Sequence, residues 1–227
     1  MAEWYFIHGA ASSRLTWTRQ MRVIPSAKRA ELPALNDVNP DHLIEAWAEW
    51  CLNDLNKPSI IVGHSMGGAI AQMMALKSPT QVRGLVLVGT GPRLPVNPAL
   101  IEALRQTPAA ALEQITRWSL SRTPEPELLA NSLEQARAYD PDRAIREFLA
   151  CSYFDVRSRL ATIRCPRVLI GADQDRMTPI ALLEEFRAIW PDVPLHVVHG
   201  AGHLMMLEKP DAFNDILLTI SQTFAAE

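Results

Sequence analysis

Three short segments, 59–62 (Ser-Ile-Ile-Val), 85–88 (Leu-Val-Leu-Val) and 168–170 (Val-Leu-Ile), are apolar at almost every position. A strand with one wet face alternates polar and apolar residues. A run without alternation must be covered on both sides. Helix-length stretches follow these runs, at 65–77 and 179–190 among others. Doubly buried strands separated by helices specify a parallel sheet sandwiched between helical layers. Weaker runs at 4–7 and 195–198 extend it, and 31–35, interrupted by Pro33, reads as an edge strand. The total is about six strands.

Further helical patterns occupy 16–23, 39–55 and 211–224. Asn39-Pro40 opens the second as N-cap and first helical residue, with Leu43, Trp47, Trp50 and Leu55 on its buried side. Between 92 and 159 the strand signal disappears. Four helices are expected there, at 98–106, 109–121, 125–139 and 142–153, divided by proline-containing turns. The chain therefore reads as an α/β core, 1–91 and 160–227, carrying a helical insertion at 92–159 that is placed to act as a lid. All basic residues of the insertion are arginines, nearly balanced by acids, and are expected on a solvated surface. The apolar Leu94, Val96, Trp118, Tyr139, Phe148 and Phe154 are expected mostly in helix packing, with a few left to line a pocket.

One turn stands out. Gly63-His64-Ser65-Met66-Gly67 joins the run 59–62 to the helix after it. Gly-x-Ser-x-Gly arises by chance in roughly one chain in fifteen of this length, given ordinary glycine usage. The buried strand before it and the Ala-rich helix after it make coincidence far rarer. Such a turn forces the serine into a strained conformation with its hydroxyl exposed, and the flanking glycines remove Cβ atoms that would collide. Gly68 and Ala69 continue the close approach. The helix start also presents free N–H groups, so the Met66 N–H is placed to stabilise an oxyanion. The second donor is expected from the turn His8-Gly9-Ala10-Ala11, with the Ala10 N–H favoured and Ala11 its neighbour to check. His8 itself is expected to fix that loop by a hydrogen bond.

A serine hydroxyl needs a base to remove its proton, and imidazole suits that near neutral pH. Of six histidines, His42 falls in a helix, His64 inside the turn with its ring directed away from the hydroxyl, and His196 within the last strand. The loop after that strand holds His199 and, in Gly200-Ala201-Gly202-His203, the favoured His203. Loops following parallel strands gather at one sheet edge, so Ser65 and His203 can meet despite their separation in sequence. The orienting acid belongs on the same edge. The loop 171–179 offers Asp173 and Asp175, of which Asp175 has the favoured spacing to Pro179. Asp37 is a weaker candidate, and the loop 89–98 contains no acid.

Together these motifs resemble the α/β-hydrolase superfamily over essentially the whole chain, and within it small bacterial carboxylesterases. The resemblance implies an α/β-hydrolase fold with a helical cap inserted after the family's sixth strand. It also implies a Ser65–His203–Asp175 triad cleaving a small-molecule ester through an acyl-enzyme. Thioester hydrolysis, acyl transfer, carbon–carbon bond hydrolysis and cofactor-free perhydrolysis use the same three residues and stay open, as does a non-catalytic receptor of this fold. Two departures are visible. The His-Gly turn arrives at residue 8, so the sheet is expected to be short by the family's first two strands, and the oligomeric state is open. The acid loop is one residue longer than common, which keeps Asp173 beside Asp175.

The remaining sequence features bound the partners. A net charge of −3 gives no reason to expect nucleic acid or an anionic membrane. No run of eighteen apolar residues is present, and the N-terminus lacks the pattern of a secretory signal. Cys51, Cys151 and Cys165 are scattered, which fits buried thiols in a reducing cytoplasm. No His/Asp/Glu set has metal-ligand spacing, and neither a metal nor an organic cofactor is expected.

Overall fold

The computed structural model describes residues 3–226. The uninterrupted apolar runs become strands of one parallel sheet in the order β2-β1-β3-β4-β5-β6. The strands are β1 (Glu3–Ile7), β2 (Lys28–Arg29), β3 (Ser59–His64), β4 (Val82–Val88), β5 (Arg167–Ala172) and β6 (Leu195–Val198). Because strand side chains alternate, each run feeds two cores at once. Tyr5, Ile7, Ile61, Leu85, Leu87 and Leu169 pack on one side against α1 (Pro40–Asp54), α2 (Met66–Lys77) and α7 (Ile180–Arg187). Their neighbours Phe6, Val62, Val86, Val88 and Ile170 pack on the other, against Trp17 and Phe213 and Leu217 of α8 (Pro210–Ala226).

Between β4 and β5 lie α3 (Pro98–Gln106), α4 (Pro108–Ser119), α5 (Pro126–Ala138) and α6 (Pro141–Tyr153). Each starts on a proline, where the missing N–H costs nothing and the fixed φ suits the first turn. Asn97 and Asp140 add side-chain caps, accepting from the Ala99 and Asp142 amides. Asn39 precedes α1 as expected, but its side chain makes no capping bond. These four helices share a small apolar cluster that includes Ile101, Leu104, Leu112, Ile115 and Phe148.

Three expectations are corrected. The edge strand is Lys28–Arg29, not 31–35. The last ladder-like bond is Ala30 N–H to the Phe6 carbonyl, 2.8 Å. Beyond it Leu32 turns into the core, Pro33 has no N–H to give, and Leu35 adopts φ +44°. An edge of two cationic residues is a poor template for pairing. The stretch 16–23 forms two 3-10 turns, Arg14–Trp17 and Gln20–Arg22, instead of one helix. Two arginines of the inserted helices are also not solvated. Arg143 and Arg146 of α6 donate to the Leu32, Leu35 and Val38 carbonyls and fasten that helix to the core. Among the described residues, no helix is long and apolar enough to cross a membrane.

Candidate active site

Ser65 sits between the last residue of β3 and the first of α2 with φ +55° and ψ −119°. A side chain held there costs on the order of 1–3 kcal/mol and persists only where its surroundings impose it. Here they do. The Ser65 N–H donates to the Val88 carbonyl (2.9 Å), and its own carbonyl accepts from Gly68 N–H (2.9 Å), Ala69 N–H (3.3 Å) and Thr90 Oγ1 (2.8 Å). The neighbouring glycines permit the crossing. A Cβ on Gly63 would lie 2.3 Å from the Gly67 carbonyl oxygen, and one on Gly67 would lie 2.4 Å from that of Ile7.

The loop after β6 brings His203 to the same edge, and the loop after β5 brings Asp175. His203 Nδ1 lies 2.8 Å from Asp175 Oδ2, with both side chains almost entirely buried. Asp175 Oδ1 accepts from the Met177 and Thr178 amides, each at 2.9 Å, and Oδ2 also accepts from Thr178 Oγ1. Burial opposes the charge on Asp175. The imidazole of His203 and the Thr178 donors outweigh it and hold the carboxyl below the ordinary carboxylate range. With Nδ1 engaged, Nε2 is the ring nitrogen of His203 left to exchange a proton. Ser65 and His203 line one cavity, although no hydrogen bond joins the serine hydroxyl to the imidazole in this structure.

The other sequence candidates lie elsewhere. Asp173 binds His199 Nδ1 (3.2 Å) and the Gly200 amide (2.8 Å) at the protein surface, so these two alternatives pair with each other away from Ser65. Asp37 is exposed in a turn. His8 is buried, with Nδ1 donating to the Gly9 carbonyl at 2.9 Å. Burial lowers its pKa to about 4 and keeps it neutral. His64 donates from Nε2 to the His203 carbonyl (3.0 Å), with its ring centroid 4.4 Å from that of His203. Burial, reinforced by repulsion from His203, pushes its pKa well below the ordinary imidazole value. A neutral His64 adds no positive charge beside His203.

Among the described residues, the Ala10 and Met66 amides have no hydrogen-bond acceptor. The Ala11 amide is taken, donating to Glu147 Oε2 at 2.7 Å. Two cavities meet at Ser65 and Ala10. One, about 280 Å³, includes His203, Leu128, Asn131 and Gln135. The other, about 360 Å³, is walled by Leu94, Val96, Trp118, Phe148 and Met177. Of the remaining apolar residues of the insertion, Tyr139 bonds Glu147, and Phe154 joins the main core. Among the described residues, no group of three or more His, Cys, Asp or Glu side chains could hold a metal ion.

Comparison with known proteins agrees with this architecture. The model of the alpha/beta hydrolase family matches residues 5–216. The chain belongs to that family. A similar α/β hydrolase is the pimeloyl-[acyl-carrier protein] methyl ester esterase of Aromatoleum aromaticum, 26% identical over 90% of this chain and 92% of the relative. A thermophilic esterase of solved structure superposes with a TM-score of 0.83 at 27% identity, covering 99% of this chain and 91% of that one. An esterase from Exiguobacterium antarcticum, with a TM-score of 0.84 over 98% of this chain and 92% of its own, is 18% identical and speaks for the fold alone.

Thr178, Glu147 and Thr90 were not singled out in the sequence. For two of them a signal exists. Thr178 stands three residues after Asp175, the spacing at which a short turn returns a hydroxyl to a carboxylate. Glu147 lies on the stripe of Ala144, Phe148 and Cys151, where helical periodicity puts an acid on a buried face. Thr90 has no comparable local signature.

Proposed function

We propose that this α/β hydrolase cleaves carboxylic esters through an acyl-enzyme, with Ser65 as nucleophile, His203 as general base and acid, and Asp175 orienting the imidazole. Ser65 Oγ attacks the ester carbonyl carbon as its proton passes to His203 Nε2. The carbonyl oxygen becomes an oxyanion that accepts from the Ala10 and Met66 amides. The carbon–oxygen bond to the alcohol then breaks, and the leaving oxygen takes the proton from His203. Water repeats the cycle on acyl-Ser65. It gives its proton to His203 and releases the carboxylic acid as Ser65 recovers its hydroxyl. Asp175 stays ionised throughout and stabilises the imidazolium.

The single observation that carries this reading is the buried Asp175–His203 pair opening on the cavity that contains a serine at φ +55°. The carboxylic esters named for the similar esterases point to the same bond type. The serine hydroxyl and the imidazole reach hydrogen-bond distance in the substrate complex, where catalytic contacts tighten. The segment 92–159 acts as the cap, since both cavities are roofed by its helices.

Because the alcohol oxygen must receive its proton from His203, the leaving group belongs in the cavity that His203 lines. The acyl group then belongs in the apolar one. At about 360 Å³ that cavity lies near the lower end for ligand pockets, which suits a small or medium acyl chain. A fluorophosphonate probe tests the assignment. Stoichiometric labelling of Ser65, lost in Ser65→Ala together with at least about 10⁴-fold in kcat on p-nitrophenyl esters, is the expected outcome. An unlabelled protein that turns over no ester refutes it.

A further inference from the structure

Glu147 is the one fully buried carboxylate of the inserted helices, and it reaches across 136 residues of sequence to the backbone beside Ser65. Its Oε2 accepts from the Ala11 amide (2.7 Å), its Oε1 from Arg143 Nε (2.9 Å), and the Tyr139 hydroxyl lies 2.9 Å from both oxygens. Fastening α6 to the core does not require this group, because Arg143 and Arg146 already hold core carbonyls. A buried carboxylate is costly unless its lone pairs are met, and here three donors meet them. Of the three donors that an acceptor meets here, Arg143 and Tyr139 belong to the inserted segment itself, and only the Ala11 amide belongs to the loop beside Ser65.

That amide matters because Ala11 adopts φ +50°, a left-handed conformation disfavoured for any residue with a Cβ. Flipping the Ala10–Ala11 peptide relieves it. The same flip turns the Ala10 carbonyl toward the carboxylate and releases the loop at the peptide next to the one that carries the Ala10 N–H. A carboxylate facing this plane repels the flipped carbonyl and attracts the unflipped amide. We propose that Glu147 is a positioning residue that selects the loop conformation in which the Ala10 N–H faces the oxyanion. The proposal rests on the assignment of Ser65 and Ala10 made above.

Glu147→Gln is the discriminating variant. Arg143 retains the remaining oxygen, and the new NH₂ group faces the Ala11 N–H, donor against donor. Amide exchange at Ala11 should rise at least about tenfold. On a p-nitrophenyl ester kcat should fall about 10- to 100-fold with KM within about threefold, part of the 10²–10³ that a whole oxyanion donor supplies. A boronic acid, whose tetrahedral adduct fills the oxyanion site, should lose affinity by the same factor as kcat/KM. Adding Ala11→Gly should restore much of kcat, since glycine accepts φ +50° without strain. Tyr139→Phe, which keeps the Ala11 bond, should lower stability with kcat within about threefold. Ala11→Pro removes the bond from the other side, should lose kcat likewise, and decides the matter if Glu147→Gln does not fold.

Unchanged exchange at Ala11 in Glu147→Gln overturns the proposal. So does raised exchange with undiminished kcat, loss of kcat that Ala11→Gly leaves unrepaired, or full activity in Ala11→Pro. Amide exchange does not depend on turnover. Failure of the wild-type protein to label at Ser65 is therefore a separate result, one that removes the oxyanion assignment and the positioning role with it.

Discussion

Replacing Asp175 by Asn changes one atom and, by the geometry of its partners, should disable the base without unfolding the site. Oδ1 accepts two backbone amides, so an asparagine must keep its oxygen there. Its NH₂ group then occupies the Oδ2 position, 2.8 Å from His203 Nδ1. A donor in that place makes Nδ1 the acceptor and moves the imidazole proton to Nε2, the nitrogen that in the proposed mechanism receives the proton of Ser65. The ring sits in the right place in the wrong tautomer. In a serine protease the equivalent change costs about 10⁴ in kcat, and the same factor is expected here, about 5.4 kcal/mol in the activation barrier at 1.36 kcal/mol per tenfold. Steady-state kinetics on a p-nitrophenyl ester at neutral pH measure the loss, and ¹⁵N spectra of His203 report the tautomer. Asp173→Asn is the control. Its side chain holds His199 and the Gly200 amide at the surface, and kcat should stay within about twofold of wild type. An Asp175→Asn enzyme within tenfold of wild type, or an Asp173→Asn enzyme as damaged as Asp175→Asn, refutes the reasoning.

Other expectations follow from single contacts. Thr178→Val removes the hydroxyl that donates to Asp175 Oδ2 and should lower kcat about tenfold, read in the same assay, while the two backbone bonds to Oδ1 keep the carboxylate in place. Gly67→Ala sets a Cβ 2.4 Å from a backbone oxygen of β1 that cannot retreat, so urea unfolding should show a loss of about 3 kcal/mol or failure to fold. The lowered pKa of Asp175 stabilises the fold at pH values above the ordinary carboxylate pKa of about 4, and that stabilisation disappears as the pH falls through the lower folded-state value. The stability gap between wild type and Asp175→Asn, followed by urea unfolding, should therefore narrow on acidification below about pH 4. Phe148→Ala enlarges the apolar cavity and should shift the preferred p-nitrophenyl ester toward longer acyl chains.

Much of the core, and the placement of the candidate site residues, could be read from local pattern. β3, β4 and β5 were legible because a strand buried on both faces has no alternation to disguise it. The turn at Ser65 was legible because its geometry demands glycine at fixed offsets. Asp175 and His203 followed from chain order and the rule that loops after parallel strands share an edge. The failures were of another kind. The misplaced edge strand depended on where β1 stops offering carbonyls, which 31–35 does not encode. The arginines of α6 looked solvated because composition cannot show that three carbonyls of the segment 32–38 lie within reach.

Glu147 marks the limit most clearly. On its own helix an acid within a buried stripe looks like an error of patterning, a charge where Ala144, Phe148 and Cys151 prepare an apolar surface. Arg143, four residues earlier, gives it a local partner, and the loop after β1, brought against α6, adds the Ala11 amide that needs an acceptor. Local rules can show the first partner but not the second, because the second is a distant backbone group. A buried polar residue that violates its own element's pattern, with its atoms met by a loop from the opposite end of the chain, is therefore a physical pointer to a site. The two loops that carry Ala10 and Ser65 arrive from separate strands, and the helix that fixes one of them belongs to the insertion roofing both. The inserted helices hold that loop through the Glu147 carboxylate and through packing on Ala10 and Ala11, so, on the roles proposed above, changes in these helices far from Ser65 should reach the reaction as losses in kcat more than as changes in KM.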